Sequence, residues 1–311
     1  MDIIYSNYKN MKAFRLENEY IKMHVLPDLG GKIASIYYKP QNFEVLFQPV
    51  AGRYMIPRYG DDFSLFDTSG ADEMFPNIDS CCYVFDKGKN VMLPDHGELW
   101  SIPWDMKAED GRLIGAVKGI GLDYSFERSI ILENSQIRMS YRITNTGNYD
   151  LYGLWAFHGL VSCDESTRIV IATDNVVNVH KSDMLGDIET CHSFPITREI
   201  SGKQYNLGKI SPISSNKTEK YYAAGTLKNG EAALTLNNSR LLYKLSFPTD
   251  KVPYLGVWIN EGGFKGEYNC ALEPSTGFYD SPVTAKRHNA LEPIPSGKAL
   301  EFYMNIILQE M

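Results

Sequence analysis

Three polar side chains stand at the ends of apolar stretches, and glycine or proline follows each. His96 lies in Leu93-Pro94-Asp95-His96-Gly97-Glu98-Leu99-Trp100, and His158 in Leu154-Trp155-Ala156-Phe157-His158-Gly159-Leu160. Glu273 lies in Cys270-Ala271-Leu272-Glu273-Pro274-Ser275-Thr276-Gly277. A strand that ends this way delivers a side chain to the rim of a sheet, where a titratable group is partly desolvated and still reaches a ligand. One carboxylate and two imidazoles are the groups of acid–base catalysis. Taken singly, each also has a plain structural explanation: a hydrogen-bonded core histidine, or a glutamate that ends a strand before proline. The tryptophans Trp100, Trp104, Trp155 and Trp258 all fall in or near these segments. Indole faces stack on the C–H faces of sugar rings or fill a core, and residue type leaves both uses open. Together the carboxylate, the imidazoles and an aromatic platform suit a neutral polyhydroxyl ligand.

Other chemistries lack their signatures. Lys118-Gly119-Ile120-Gly121 begins like a dinucleotide loop but has no third glycine, and there is no Walker loop, no G-x-S-x-G and no C-x-x-C. The nearest approach to a zinc set is Cys191-His192 with His180, without ligand spacing, so neither metal nor cofactor is expected. A net charge of −7 over 311 residues disfavours nucleic acid and anionic membrane surfaces as partners. No stretch is long and apolar enough to span a bilayer. The start, MDIIYSNYKN, lacks the basic-then-apolar order of a secretory signal. Five cysteines, two of them adjacent at Cys81-Cys82, fit reduced thiols in a cytoplasm. The sequons at Asn216 and Asn238 therefore carry no information.

The elements that must position these groups read as strands. Ile137, Met139, Tyr141 and Ile143 alternate with Arg138, Ser140, Arg142 and Thr144. Successive side chains of a strand point to opposite faces, so this period of two means one buried face. Leu300, Phe302, Met304, Ile306 and Leu308 repeat the pattern, as do Ile21, Met23 and Val25, and Tyr243, Leu245 and Phe247. Turn residues at 27–31, 133–136 and 145–148 separate the runs. No amphipathic helix of a dozen residues is expected. Residues 183–220 are the least periodic and read as an excursion over the sheet. With 43% hydrophobic residues and no linker, repeat or low-complexity segment, residues 1–311 read as one all-β sandwich domain.

At this point the residues resemble a family. Leu26-Pro27-Asp28-Leu29-Gly30-Gly31-Lys32-Ile33 comes first, then Gly70-Ala71-Asp72-Glu73-Met74-Phe75-Pro76. His96-Gly97 with Trp100 follows, then Trp155-Ala156-Phe157-His158, Tyr254-Leu255-Gly256-Val257-Trp258 and Leu272-Glu273-Pro274. In that order, across nearly the whole chain, they are similar to the aldose 1-epimerase (galactose mutarotase) family, in a divergent bacterial branch. The resemblance implies a galactose mutarotase-like β-supersandwich of twisted antiparallel sheets with an open sugar cleft. It implies interconversion of the α and β anomers of an aldose without metal or cofactor. Matched motif to motif, Glu273 corresponds to the catalytic base, His158 to the catalytic acid and His96 to an assisting histidine. Asp72, Glu73, Trp100, Trp155 and Trp258 are the expected substrate-binding residues. The expected partner is a monosaccharide, and the expected state a monomer or weak homodimer.

Opening a hemiacetal ring needs a proton taken from the C1 hydroxyl and another given to the ring oxygen. A carboxylate and an imidazolium do this, so Glu273 is expected ionised and His158 protonated at neutral pH, each group worth about 10²–10⁴-fold. One departure stands out. Asp61-Asp62 lies where galactose mutarotases carry Arg and Asn, so galactose is not assumed, and Arg53 and Arg58 are the only nearby basic residues for a sugar phosphate. Two other readings remain at this stage. One is a glycoside-processing enzyme pairing Glu273 with Asp72 or Glu73, and the other is a non-catalytic carbohydrate-binding protein.

Overall fold

The computed structural model describes residues 1–85 and 90–311. Two large antiparallel sheets face one another. The smaller runs, edge to edge, through Arg168–Ile171, Glu231–Leu236, Leu241–Ser246, Ala299–Glu310, Gln136–Asn145, Tyr124–Glu133, Arg112–Lys118 and Asp105–Glu109. Its alternation is the one read from the sequence. Along Gln136–Asn145 the residues Ile137, Met139, Tyr141 and Ile143 are buried while Arg138, Ser140 and Arg142 are exposed. One face meets water and the other meets the second sheet. The 133–136 turn closes the hairpin, with Glu133 paired to Gln136 and Asn134 in the left-handed conformation at φ 51°.

The larger sheet holds the cleft. From one edge it runs through Asp2–Tyr8, Met11–Glu17, Ile21–Leu26, Lys32–Tyr38, Ala71–Met74 and Ala156–Gly159. It continues through Tyr268–Ser275, Tyr254–Glu261, Lys217–Ala223, Asn175–Asn178 and Cys191–Ser193. Both faces of its middle strands are covered, and in Tyr268–Ser275 every residue after the first is buried. The excursion expected at 183–220 supplies the edge strand Cys191–Ser193, then a separate pair, Ile196–Arg198 with Gln204–Asn206, and rejoins this sheet at Lys217. Among the described residues the one α-helix is Pro282–Arg287, and no helix is long and apolar enough to cross a membrane.

The two sheets are joined through a buried polar contact as well as hydrocarbon. Phe126, Tyr141, Phe302, Met304, Phe157, Val257 and Leu272 belong to one continuous core between them. Within it, Arg128 Nη1 of the smaller sheet donates to Glu73 Oε1 of the larger at 2.9 Å, and both side chains are wholly buried. Tyr141 Oη donates to the same oxygen at 3.1 Å, Trp155 Nε1 donates to Glu73 Oε2 at 2.7 Å, and the guanidinium lies 4.9 Å from the Trp104 ring. A buried carboxylate is tolerable only when its lone pairs are filled this way.

Candidate active site

Directly opposed residues on antiparallel strands share a face, so the register of the larger sheet fixes which side chains meet. Asp72 pairs with His158, and Gly256 pairs with both Glu273 and Tyr222. The register that pairs Ala156 with Ser275 and Val161 with Cys270 sets His158 level with Glu273 on the neighbouring strand. The Ile33–Ala71 bridge likewise sets Lys32 level with Asp72. Lys32, Asp72, His158 and Glu273 thus form one row across the sheet, on the face turned away from the core. Lys220 stands one step along, opposite Trp258.

A cleft with a cavity volume of about 180 Å³ opens over this row. His96, His158, Glu273, Lys220, Trp258, Asp79 and His180 line it together with Phe63, Phe264, Glu267 and Asn269. His96 arrives from outside the sheet. It holds φ 60°, a left-handed conformation uncommon for a residue with a side chain, and its N–H donates to Ile78 O at 2.6 Å. The next residue has to be glycine, because a Cβ at Gly97 would stand 2.5 Å from the Phe75 carbonyl oxygen. The His96 ring stacks on Phe63 at 3.8 Å between centroids, lies 5.3 Å from the His158 ring, and has Nδ1 3.0 Å from the Asp95 carboxylate. Phe63 also meets His158 edge to face at 5.4 Å, so one aromatic ring sets both imidazoles.

Glu273 is held from the side by Lys220, whose Nζ lies 3.2 Å from Glu273 Oε2 and 2.9 Å from Asp280 Oδ2. Asp280 also accepts from Tyr222 Oη at 2.7 Å and meets His180 Nε2 at 3.0 Å. Burial raises the Glu273 pKa above the usual carboxylate value, and the Lys220 ammonium works against that rise. Burial alone would lower Lys220, but Asp280 and Glu273 outweigh it and hold the ammonium firmly protonated. The hydrogen bond to Asp280 raises His180. His158 goes the other way. Burial, helped by the positive charges of His96, Lys220 and Lys32, presses its pKa well below 6.5. The expectation of a protonated His158 at neutral pH is therefore corrected: the imidazole is neutral in the free protein. Its Nδ1 is buried and has no hydrogen-bond partner among the described residues.

Four of the expected substrate-binding residues stand elsewhere. Glu73 points from the opposite face of its strand into the core, where Arg128, Tyr141 and Trp155 fill its oxygens. Trp155 is wholly buried against Tyr141 and Phe302, on that same core side. Trp100 is buried behind Phe63 and Phe66, with its indole N–H on the Asp95 carbonyl. Asp72 is on the cleft face of its strand but sealed, ion-paired to Lys32 Nζ, which also donates to Ser69 O at 2.6 Å. Glu73 and Asp72 are accordingly unavailable as a second carboxylate beside Glu273, and the hydrolase reading loses its pair. Trp258 alone of the expected tryptophans faces the cleft. Asp61 accepts from Arg58 N and Asp62 from Ser64 N, so the acidic pair builds the turn that carries Phe63.

Sequence reasoning missed Lys220, Asp280 and Phe63, and weighed His180 only as a metal ligand. Lys220 had a faint signal: Thr218, Lys220 and Tyr222 alternate with buried Glu219 and Tyr221. Asp79, His180 and Asp280 bring three ligand atoms within 4.8 Å of one another. Lys220 Nζ sits on the same Asp280 oxygen that His180 meets, so the protein's own cations already match that charge.

No protein-family model matches the chain, and no curated protein matches it. Solved structures do. A protein from Synechocystis sp. PCC 6803 superposes with TM-score 0.72 at 17% identity, covering 100% of this chain and 99% of that one. A galactose mutarotase related enzyme from Lactobacillus acidophilus gives TM-score 0.69 at 14% identity, over 96% of this chain and 97% of that one. A galactose mutarotase-like protein from Clostridium acetobutylicum gives 0.67 at 13%, over 99% and 98%. The fold is galactose mutarotase-like.

Proposed function

We propose that the protein is an aldose 1-epimerase, with Glu273 as base, His158 as acid and His96 assisting. The supporting observation is the level placement of His158 beside Glu273, with His96 above them, around one cleft. In the forward direction Glu273 removes the proton of the C1 hydroxyl while an imidazolium at His158 protonates the ring oxygen. The C1–O5 bond breaks, the aldehyde forms, and rotation about C1–C2 exposes its other face. Closing reverses both transfers, so each group ends as it began. His96 donates a hydrogen bond to oxygen as charge develops there, in a site where fixed donors need no reorganisation. Lys220 keeps Glu273 ionised and aimed, and Trp258 and Phe63 offer faces to the ring.

Because burial keeps His158 neutral, the competent pair of carboxylate and imidazolium is a minority form at neutral pH. It grows on mild acidification, until Glu273 itself takes a proton.

The test is the rate at which freshly dissolved α-glucose, α-galactose and other aldoses reach anomeric equilibrium, followed by polarimetry or proton NMR. Acceleration by catalytic amounts of protein is the expected result. No acceleration on a broad panel between pH 5 and 8, with binding intact, would leave a carbohydrate-binding protein in its place.

A further inference from the structure

His158 lies between two carboxylates. Asp72 pairs with it directly on one neighbouring strand, and Glu273 stands level with it on the other. Directly opposed residues of antiparallel strands hold their Cβ atoms about 4.5–5.5 Å apart, so side-chain rotation is enough to bring a carboxylate oxygen onto an imidazole nitrogen. Beyond each carboxylate stands an ammonium. Lys32 Nζ donates to Asp72 Oδ2, and Lys220 Nζ lies 3.2 Å from Glu273 Oε2. Across the sheet the row therefore reads positive, negative, imidazole, negative, positive, and a proton on His158 completes the alternation.

The atoms on the Asp72 side are unsatisfied. Asp72 is 1% exposed, and its Oδ1 is buried with no hydrogen-bond partner among the described residues. His158 Nδ1 is in the same condition. A bare polar atom inside a native fold calls for a reason, and here an acceptor and a ring nitrogen that can donate stand on opposed residues. The rest of the His158 ring is already placed, edge to face with Phe63 at 5.4 Å and with the His96 ring at 5.3 Å. With Nδ1 buried, Nε2 is the nitrogen left to reach the cleft.

We propose that Asp72 is a positioning residue for the acid: its Oδ1 accepts from His158 Nδ1–H, which fixes Nε2 as the nitrogen that meets the ring oxygen and gives the imidazolium a counter-charge. The proposal rests on the epimerase reading for the role of His158. In ring opening the Nε2 proton passes to the ring oxygen while the Nδ1 proton stays in its bond to Asp72. Ring closure returns a proton to Nε2, so the site ends as it began. A carboxylate behind a histidine does this wherever the imidazole must keep one tautomer through a proton transfer. Burial and Asp67 raise the Asp72 pKa, and Lys32 opposes the rise, so Lys32 maintains the charge that His158 uses. The other groups facing His158 are Glu273 and the cations His96, Lys220 and Lys32, and these three press its proton off.

Proton–nitrogen NMR of the His158 ring, titrated from about pH 4 to 8 in the full chain, tests the contact without relying on activity. In Asp72→Asn the imidazole should titrate about one pH unit or more below wild type, the effect of losing an opposite charge at this range. With Lys32→Met added to Asp72→Asn, His158 should still titrate below wild type, because Asp72 is on the adjoining strand and Lys32 is one strand further away. That double variant also removes the unpaired buried ammonium, so it carries the test if Asp72→Asn alone does not fold. An unmoved titration in Asp72→Asn overturns the proposal. So does a double variant that titrates at or above wild type, which would mean that Asp72 only balances Lys32. Anomerisation kinetics separate this from the epimerase reading. In Asp72→Asn kcat should fall by about tenfold or more with KM little changed, since Asp72 does not reach the sugar. A wild-type protein that accelerates no aldose removes the reaction and leaves the Asp72–His158 contact to be read by NMR.

Discussion

Lys220 acts on both Glu273 and His158, and this gives the residue scale its sharpest prediction. In the proposed mechanism Glu273 must be ionised, so kcat/KM falls as pH drops through its raised pKa, which lies above the ordinary 4.5. His158 must be protonated, so kcat/KM falls as pH rises through its depressed pKa, which lies below 6.5. The two limbs are pushed toward each other, and the profile is a narrow bell. Lys220 lowers both groups. In Lys220→Met both limbs should therefore move to higher pH, whereas Lys220→Arg, which keeps the charge, should hold them near their original places. A profile that Lys220→Met leaves unmoved contradicts the electrostatic role. Glu273, His158 and His96 were legible in the sequence because each closes an apolar stretch just before glycine or proline. Lys220 was not, since a lysine in an alternating strand reads as a solvated face. Asp280 was hidden because it lies in a turn after the strand, and only the fold carries it back beneath His180.

At the scale of elements, the register of the strands does the positioning. Gly256 pairs with Glu273, and a Cβ there would stand 3.4 Å from Glu273 Oε2 and 3.2 Å from the Tyr222 ring. The added methyl would merely touch the carboxylate, but the Tyr222 ring, whose hydroxyl donates to Asp280 beside Lys220, would have to give by a few tenths of an ångström. Gly256→Ala should lower kcat/KM by about tenfold or more, because small misplacements of a reacting group carry large penalties, while circular dichroism keeps its strand signature. An alanine variant with full activity shows that the carboxylate is not set by this contact. The strands with one wet face, Gln136–Asn145 and Ala299–Glu310, were read from their period of two. The cleft strands were harder. With both faces covered, Tyr268–Ser275 loses the apolar–polar alternation that marks a strand, and only its position between turns betrays it.

Across the whole molecule, the two sheets keep their relation through the core and through Glu73 with Arg128. Arg128→Met strands a carboxylate in hydrocarbon and should cost about 3–5 kcal/mol in urea unfolding. Glu73→Leu with Arg128→Met together should recover much of that loss; a double variant as unstable as the single one would mean the pair matters for its shape rather than its charge. Sequence reading placed Glu73 with the ligand because Asp72 and Glu73 adjoin, and parity along a strand does not say which neighbour faces inward. The galactose mutarotase-like sandwich itself was legible, from strand periodicity and from ordered motifs spread over the chain. The assignment of Glu273 as the base that takes the anomeric proton is tested most directly by Glu273→Gln. This variant keeps the shape beside Lys220 and removes the base. Proton NMR of freshly dissolved α-aldose at the wild-type pH optimum should show its acceleration reduced by about 10²–10⁴-fold, with sugar affinity retained in calorimetry. Equilibration at the wild-type rate by the folded glutamine variant would contradict the assignment.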